Sequence, residues 1–160
     1  MTRIGITGHS KLSAASVPLV VKALEDELST CAAEGLVGVS CLAKGADQLF
    51  AQAVLDRGGS LDVVLPAADY RERKVKPDNA AEFDVLISKA ASVHTMPFAT
   101  SNPDAYMRAS EHVLSSVEAM VAVWDGQPSG GAGGTEDVVR AARERGVPAT
   151  VVWPGGAERG

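Results

Sequence analysis

The chain has 160 residues, 46% of them hydrophobic, and its fifteen Lys and Arg against twenty Asp and Glu give a formal charge of -5. That length supports one well-cored domain, and the acidic balance argues against a general polyanion-binding surface, so DNA or RNA is not the expected partner. The start, MTRIGITGHSK, has no apolar signal core and the longest apolar runs are strand-sized, so neither export nor membrane spanning is indicated and a cytoplasmic location is expected.

Short runs rich in Val and Ile alternate with longer segments of helical period, the pattern of βα units on a largely parallel sheet. RIGIT (Arg3 to Thr7) is the first strand and stops at Gly8. From Ser13 onward Val17, Val20, Val21, Leu24, Leu28 and Cys31 recur at helical spacing until Gly35, so one helix is expected there. LVGVSCL (Leu36 to Leu42) is the second strand. A helix follows from about Ala46, with Leu49, Phe50, Ala53 and Val54 as its buried stripe and a glycine stop at Gly58 and Gly59. LDVVLP (Leu61 to Pro66) is the third strand.

AADYRERKVKPDN then breaks the rhythm. It is polar, holds Arg71, Arg73, Lys74 and Lys76 within six positions of an acidic chain, and is expected to be a mobile loop. A helix from about Ala80 to Ala90 and a short strand, ASVHTM, come next. SNPDAYMRASEHVL opens another helix with Asn102 as N-cap and Pro103 at the first helical position. AMVAVWDG (Ala119 to Gly126) is a strongly apolar strand, and the stretch after it, DGQPSGGAGGTED, carries five glycines between Gly126 and Gly134. TEDVVRAARERG (Thr135 to Gly146) is a helix with Thr135 as its N-cap, PATVVWP (Pro148 to Pro154) is the last strand, and residues 155–160 are expected to fray beyond a domain of residues 1–154. Cys31 and Cys41 belong to no paired metal spacing and are expected to be reduced, mostly buried thiols.

The expected fold class is therefore α/β: a single Rossmann-like, doubly wound, mostly parallel sheet of about six strands flanked by about five helices. Ligands of such sheets bind outside the carboxyl ends of the strands, near the point where strand order reverses. Three loops in that position carry glycine at the turn into a helix: TGHSK (Gly8, His9, Ser10, Lys11), LAKGAD (Gly45, Asp47) and the glycine run containing Gly130, Gly131, Gly133 and Gly134. Glycine lets a ligand approach the main chain, and the free N–H groups of a helix N-terminus favour an anion. A glycine run lodged between a buried strand and a helix of the same domain is a ligand loop or a plain turn, not an interdomain linker. Neither GxxxxGK[ST] nor GxGxxG is present, which disfavours P-loop NTPases and ordinary dinucleotide dehydrogenases.

Each candidate also has a structural reading. Thr135 caps its helix with or without touching a ligand. Glu136 and Asp137 gain from the helix dipole in the first turn but repel a phosphate, so they point away from it or engage a ribose or a scissile glycosidic bond. Asp47 is a helix cap or a ligand contact, and Asp125, at a strand end, faces the crevice. His9 can meet a phosphate or a base, Tyr106 and Trp124 can stack on a base, and Trp124 packs well as a buried ring. Arg108 and the Arg71 to Lys76 cluster are the cationic candidates for phosphate, against the reading of a solvated basic loop. No metal or other cofactor is expected.

TGH after the first strand, LAKGAD after the second, WDG ending a late strand and GGAGGT opening the next helix together resemble the SLOG superfamily of Rossmann-like proteins. That group takes in the lonely guy phosphoribohydrolases, long called lysine decarboxylase-like, and the DNA-processing protein A domain. The resemblance spans Arg3 to Trp153 and implies a site for a nucleotide or nucleotide-derived ligand (AMP, cyclic nucleotide or ADP-ribose type) around Gly8, His9, Gly45, Asp47, Asp125 and the Gly130 to Thr135 stretch. It also implies a homodimer. Where relatives carry TGHR this chain has Ser10 and Lys11, and GGAGGTED stands in place of the hydrolases' PGGxGTxxE. The alternative function is an N-glycosidase acting on a nucleoside 5'-monophosphate through Glu136 or Asp137, and a third is a DNA-handling module.

Overall fold

The computed structural model describes residues 1–128 and 134–160. Six strands, β1 (Thr2–Gly8), β2 (Leu36–Ser40), β3 (Ser60–Leu65), β4 (Ser92–Thr95), β5 (Ala119–Val123) and β6 (Ala149–Val152), pair in parallel as one sheet of order β4-β3-β2-β1-β5-β6. The chain steps outward from β1 to β4 and returns to place β5 beside β1. The order therefore reverses between β1 and β5, which pair Gly8 with Val123 at their carboxyl ends.

Helices α1 (Ser16–Leu28) and α2 (Ala46–Asp56) cover one face, where Val20, Leu24, Leu28, Phe50 and Val54 pack on Ile4, Ile6 and Val121. Helices α5 (Pro103–Ser116) and α6 (Thr135–Glu144) cover the other, with Ala109, Val113, Leu114, Val138 and Ala142 against Val37, Val39 and Val64. Successive strand residues feed opposite cores, so the inner strands need apolar residues at almost every position. A third cluster joins β3 to the short helix α3 (Tyr70–Lys74) and to α4 (Ala80–Lys89) through Leu61, Val63, Tyr70, Phe83 and Leu86.

Four expectations are corrected. The first helix spans Ser16–Leu28 rather than running from Ser13 towards Gly35: Ser29 and Thr30 hydroxyls donate back to Asp26 and Glu27 carbonyls, and Arg57 donates to the Cys31 and Ser29 carbonyls, satisfying the helix end early. The basic segment expected as a loop contains α3, anchored by buried Tyr70 and by Arg71, whose guanidinium forks onto Asp84 at 2.8 and 2.6 Å. Thr135 is the first helical residue and Gly134 the N-cap, because Gly134 is the extended residue whose carbonyl accepts from Val138. The segment expected to fray is docked: Ser13 N–H donates to Glu158 O at 3.0 Å, Glu158 N–H to Ser16 Oγ at 2.7 Å, and Gly160 N–H to Lys11 O at 3.1 Å.

Asn102 caps α5 as the sequence predicts, its Oδ1 accepting from Ala105 N–H at 2.8 Å with Pro103 inside the first turn. Asn102→Ala should cost about 1 kcal/mol, read as a fall of roughly 2–4 °C in the thermal midpoint.

Candidate functional site

A cleft of about 1050 Å³ opens at the carboxyl ends of the strands, lined by the turns after β1, β2 and β3 and by the start of α6. The β1 turn and the N-terminus of α2 touch there. A Cβ on Gly8 would sit 2.5 Å from Ala46 Cβ and 2.9 Å from Val123 Cβ, so only glycine allows that approach. Gly45, at φ +93°, turns the chain into α2 with no room for a side chain, since a Cβ would lie 2.6 Å from the His9 carbonyl oxygen.

The turn after β2 is held by buried polar groups. Leu42, wholly buried, takes φ +56°, an unfavourable conformation for a branched residue. Its N–H donates to Ser40 Oγ at 3.0 Å, its carbonyl accepts from Gln48 Nε2 at 3.0 Å, and Gln48 and Asn79 exchange hydrogen bonds at 2.8 and 2.9 Å. Strain of this kind persists where the surroundings over-determine it. The pair Gln48 and Asn79 thereby ties the β2 turn to the entry of α4.

Asp47 lies at the floor, 8% exposed, its Oδ2 accepting from Ala43 N–H at 3.3 Å. Burial pushes its carboxyl up to about 7, and the Ala43 hydrogen bond opposes this only in part. Burial, and next the Asp47 charge, push the Cys41 thiol up, so it is an unreactive wall rather than a nucleophile. Cys31 and Cys41 are both free. Tyr70 and Tyr106 also line the cleft, ring centres 6.3 Å apart and edge to face.

The rim is cationic. Lys11, Lys44, Lys74 and Lys76 line the cleft, as does Arg159, against the carboxylates of Asp47 and Asp78 among the described residues. Lys44 approaches Asp78 at 3.6 Å, whereas Lys11, Lys74 and Lys76 make no ion pair among the described residues. Behind the β1 turn, His9 Nε2 lies 3.2 Å from Asp125 Oδ1, with Trp153 edge-on to the imidazole at 5.5 Å. Burial and, next, the nearby Arg159 hold His9 below its ordinary value despite the Asp125 carboxylate. The Arg159 guanidinium, the Gln127 N–H and the nearby His9 hold the Asp125 carboxyl down at about 2, against partial burial.

Of the residues singled out from sequence, Gly8, His9, Ser10, Lys11, Asp47, Tyr106, Gly134 and Thr135 line the cleft together. Gly45 shapes it from behind. Gly130, Gly131 and Gly133 lie outside the described residues. Asp125, expected to face the crevice, instead gives both carboxylate oxygens to Arg159 at 2.7 and 2.8 Å. Arg108 sits on the exposed side of α5, 3.9 Å from Asp104, because its place in the helix turns it away from Ala105 and Ala109, which are buried. Glu136 and Asp137 approach Arg140 at 3.3 and 3.4 Å and do not line the cleft, as expected of carboxylates placed in the first turn of their own helix. Trp124 donates from Nε1 to Gln127 O at 2.8 Å. Lys44 and Arg159 are the cleft residues whose role needed the structure. Lys74 and Lys76 were visible as a basic cluster in a loop after a strand, but Arg159 carried no signal.

Among the described residues no cluster of three or more His, Cys, Asp or Glu is placed to hold a metal ion, and no helix is long and apolar enough to cross a membrane.

No family model and no curated protein matches the sequence. Solved structures do. DNA processing protein A from Streptococcus pneumoniae superposes with a TM-score of 0.68 at 18% identity, covering 98% of this chain and 51% of that one. A structure concerned with the single-stranded DNA binding mode of DNA processing protein A from Helicobacter pylori gives 0.64 at 17% identity, covering 94% and 64%. The molybdenum cofactor binding protein from the phototrophic bacterium Rippkaea orientalis gives 0.60 at 14% identity, covering 94% and 75%. The chain has the Rossmann-like α/β fold of these structures. Within that fold it spans about half the length of the Streptococcus protein and under two thirds of the Helicobacter one. The cleft described above lies at the β1–β5 switch point of this fold.

Proposed function

We propose that the cleft binds a small nucleotide or nucleotide-derived ligand of the AMP, cyclic nucleotide or ADP-ribose type, with its phosphate on the lysine rim and its ring towards Tyr106 and Asp47. The observation that carries this is a local reversal of charge. In a chain of net charge -5, four lysines and an arginine converge on one cleft that holds only two carboxylate side chains among the described residues. Low-dielectric walls focus such a field and concentrate an anion. The N-termini of α2 and α6, capped by Gly45 and Gly134, add donors and dipole ends of the same sign.

Thermal denaturation with AMP, ADP-ribose, cyclic AMP and NAD provides the test. A nucleotide present at 100 times its dissociation constant should add about 2.7 kcal/mol of stability, and a flat response across the panel overturns the reading. Chromatography of the same mixtures addresses hydrolysis. The N-glycosidase reading relies on Glu136 or Asp137, which face Arg140, so the nucleotide should be recovered intact; free base whose release stops with Glu136→Gln would reverse that conclusion.

The rim cations also remove the objection that an acidic chain cannot hold nucleic acid. Single-stranded DNA is therefore the second reading, supported by the Helicobacter fold neighbour. Salt-sensitive retention of an oligonucleotide in a gel, competed by no mononucleotide, would favour it.

A further inference from the structure

We infer that Arg159, reaching the cleft from the C-terminal segment, is a phosphate-contacting residue of this site, and that Asp125 and His9 are positioning residues that aim it. This rests on the cleft being an anion site.

The backbone around Arg159 is fixed first. Arg159 pairs with Leu12 in an antiparallel bridge, and the flanking bonds from Ser13 to Glu158 and from Gly160 to Lys11 lay the segment along the turn that follows β1. The side chain is fixed next. Nε donates to Asp125 Oδ2 at 2.7 Å and Nη2 to Asp125 Oδ1 at 2.8 Å, a two-pronged pairing that sets the plane of the guanidinium. Nη2 also reaches the Gln127 and Pro128 carbonyls at 3.4 Å. Asp125 is itself held: Gln127 N–H donates to Oδ1 at 2.9 Å, and His9 Nε2 lies 3.2 Å from Oδ1 and 3.3 Å from the Asp125 N.

What this leaves is Nη1. It makes no hydrogen bond among the described residues, while Arg159 is one of the residues that line the cleft, as are Gly8, Lys11 and Thr135. A guanidinium carries five N–H donors in a rigid fork. Here Nε and Nη2 are engaged by the protein, and the two donors on Nη1 remain for an anion in the cleft. An arginine already locked by its carboxylate loses little rotamer entropy when a phosphate arrives, so the contact is pre-organised. The paired Asp125 weakens the long-range attraction but not the directional bond. The specificity that follows is for the phosphate rather than for the base.

Titration of wild type and variants with AMP and with adenosine tests this. Wild type should bind AMP more tightly than adenosine. Arg159→Gln should lower AMP affinity about tenfold or more, the loss of a charge-assisted hydrogen bond, and leave adenosine affinity unchanged. Arg159→Lys, which keeps the charge without the fork, should recover part of the loss. Asp125→Asn should weaken AMP alone, by less than Arg159→Gln, because the guanidinium stays but is no longer aimed. If Arg159→Gln lowers the thermal midpoint while AMP and adenosine affinities are unchanged or fall together, Arg159 is a structural clasp and the inference is overturned. Retained AMP binding in Arg159→Gln overturns this inference alone. If wild type binds neither AMP nor inorganic pyrophosphate, the anion site itself is overturned and this inference with it.

Discussion

Asp47→Asn should become progressively more stable than wild type as pH rises from about 4 to about 7, with a total gain of roughly 4 kcal/mol. Burial raises the folded-state carboxyl of Asp47 from 3.8 to about 7. A carboxyl raised on folding contributes its full stability below the unfolded value, where both states are protonated. That contribution is lost as pH climbs through the folded value, because the unfolded chain releases the proton earlier. Asn cannot ionise, so the difference between the two proteins isolates this one group from all others that titrate. At pH 8 the midpoint of the variant should lie on the order of 10 °C above that of wild type. Thermal denaturation at pH values from 4 to 8.5 reads it directly, and parallel curves would contradict the burial of Asp47. A carboxyl held near neutrality at the floor of a cleft is destabilising for the fold at neutral pH. Perturbed groups of this kind mark functional positions, and Asp47 is able to donate a hydrogen bond below about pH 7 and only to accept one above it.

Gly45→Ala should cost about 3 kcal/mol or more and disable the cleft along with it. Two penalties coincide. Alanine at φ +93° is strained whatever surrounds it, and its Cβ would lie 2.6 Å from the His9 carbonyl oxygen and 2.7 Å from that of Ser10. Those obstacles are backbone atoms, so relief requires the β1 turn to move away from α2, and the bond from Ala46 N–H to His9 O at 3.2 Å would open. Because His9, Ser10 and Lys11 all line the cleft, nucleotide-induced stabilisation should disappear in the variant. Circular dichroism of the variant, compared with its thermal shift in AMP, separates loss of site from loss of fold. An alanine variant with wild-type stability would show that the turn can relax in a way its packing does not allow.

Much of the architecture was legible in the chain. The Val- and Ile-rich runs became the six strands, and the Asn102-Pro103 start of α5 was placed to the residue because capping is decided by neighbours three positions apart. The loops containing Gly8 and Gly45 were legible as the turns that follow β1 and β2 at the carboxyl edge of the sheet, because glycine at a strand-to-helix turn is a local signal. Errors arose where a distant part of the fold intervened. Helix α1 stops at Leu28 under the influence of Arg57, and α3 forms because Tyr70 finds Phe83 across a packed cluster. Asp125 looked like a ligand carboxylate from its strand-end position, but its partner comes from residue 159, 34 positions later.

The sequence by itself determined the α/β class, the order of elements and the edge of the sheet where a site would form, since period, glycine placement and caps are local properties. Tertiary structure decided what that edge is made of. It brought Lys11, Lys44, Lys74, Lys76 and Arg159 from four separate segments to one cleft, buried Asp47 beneath them, and turned Glu136, Asp137 and Arg108 elsewhere. Charge sums over the whole chain, but an electrostatic field depends on distance and dielectric, and both are set only when the chain is folded.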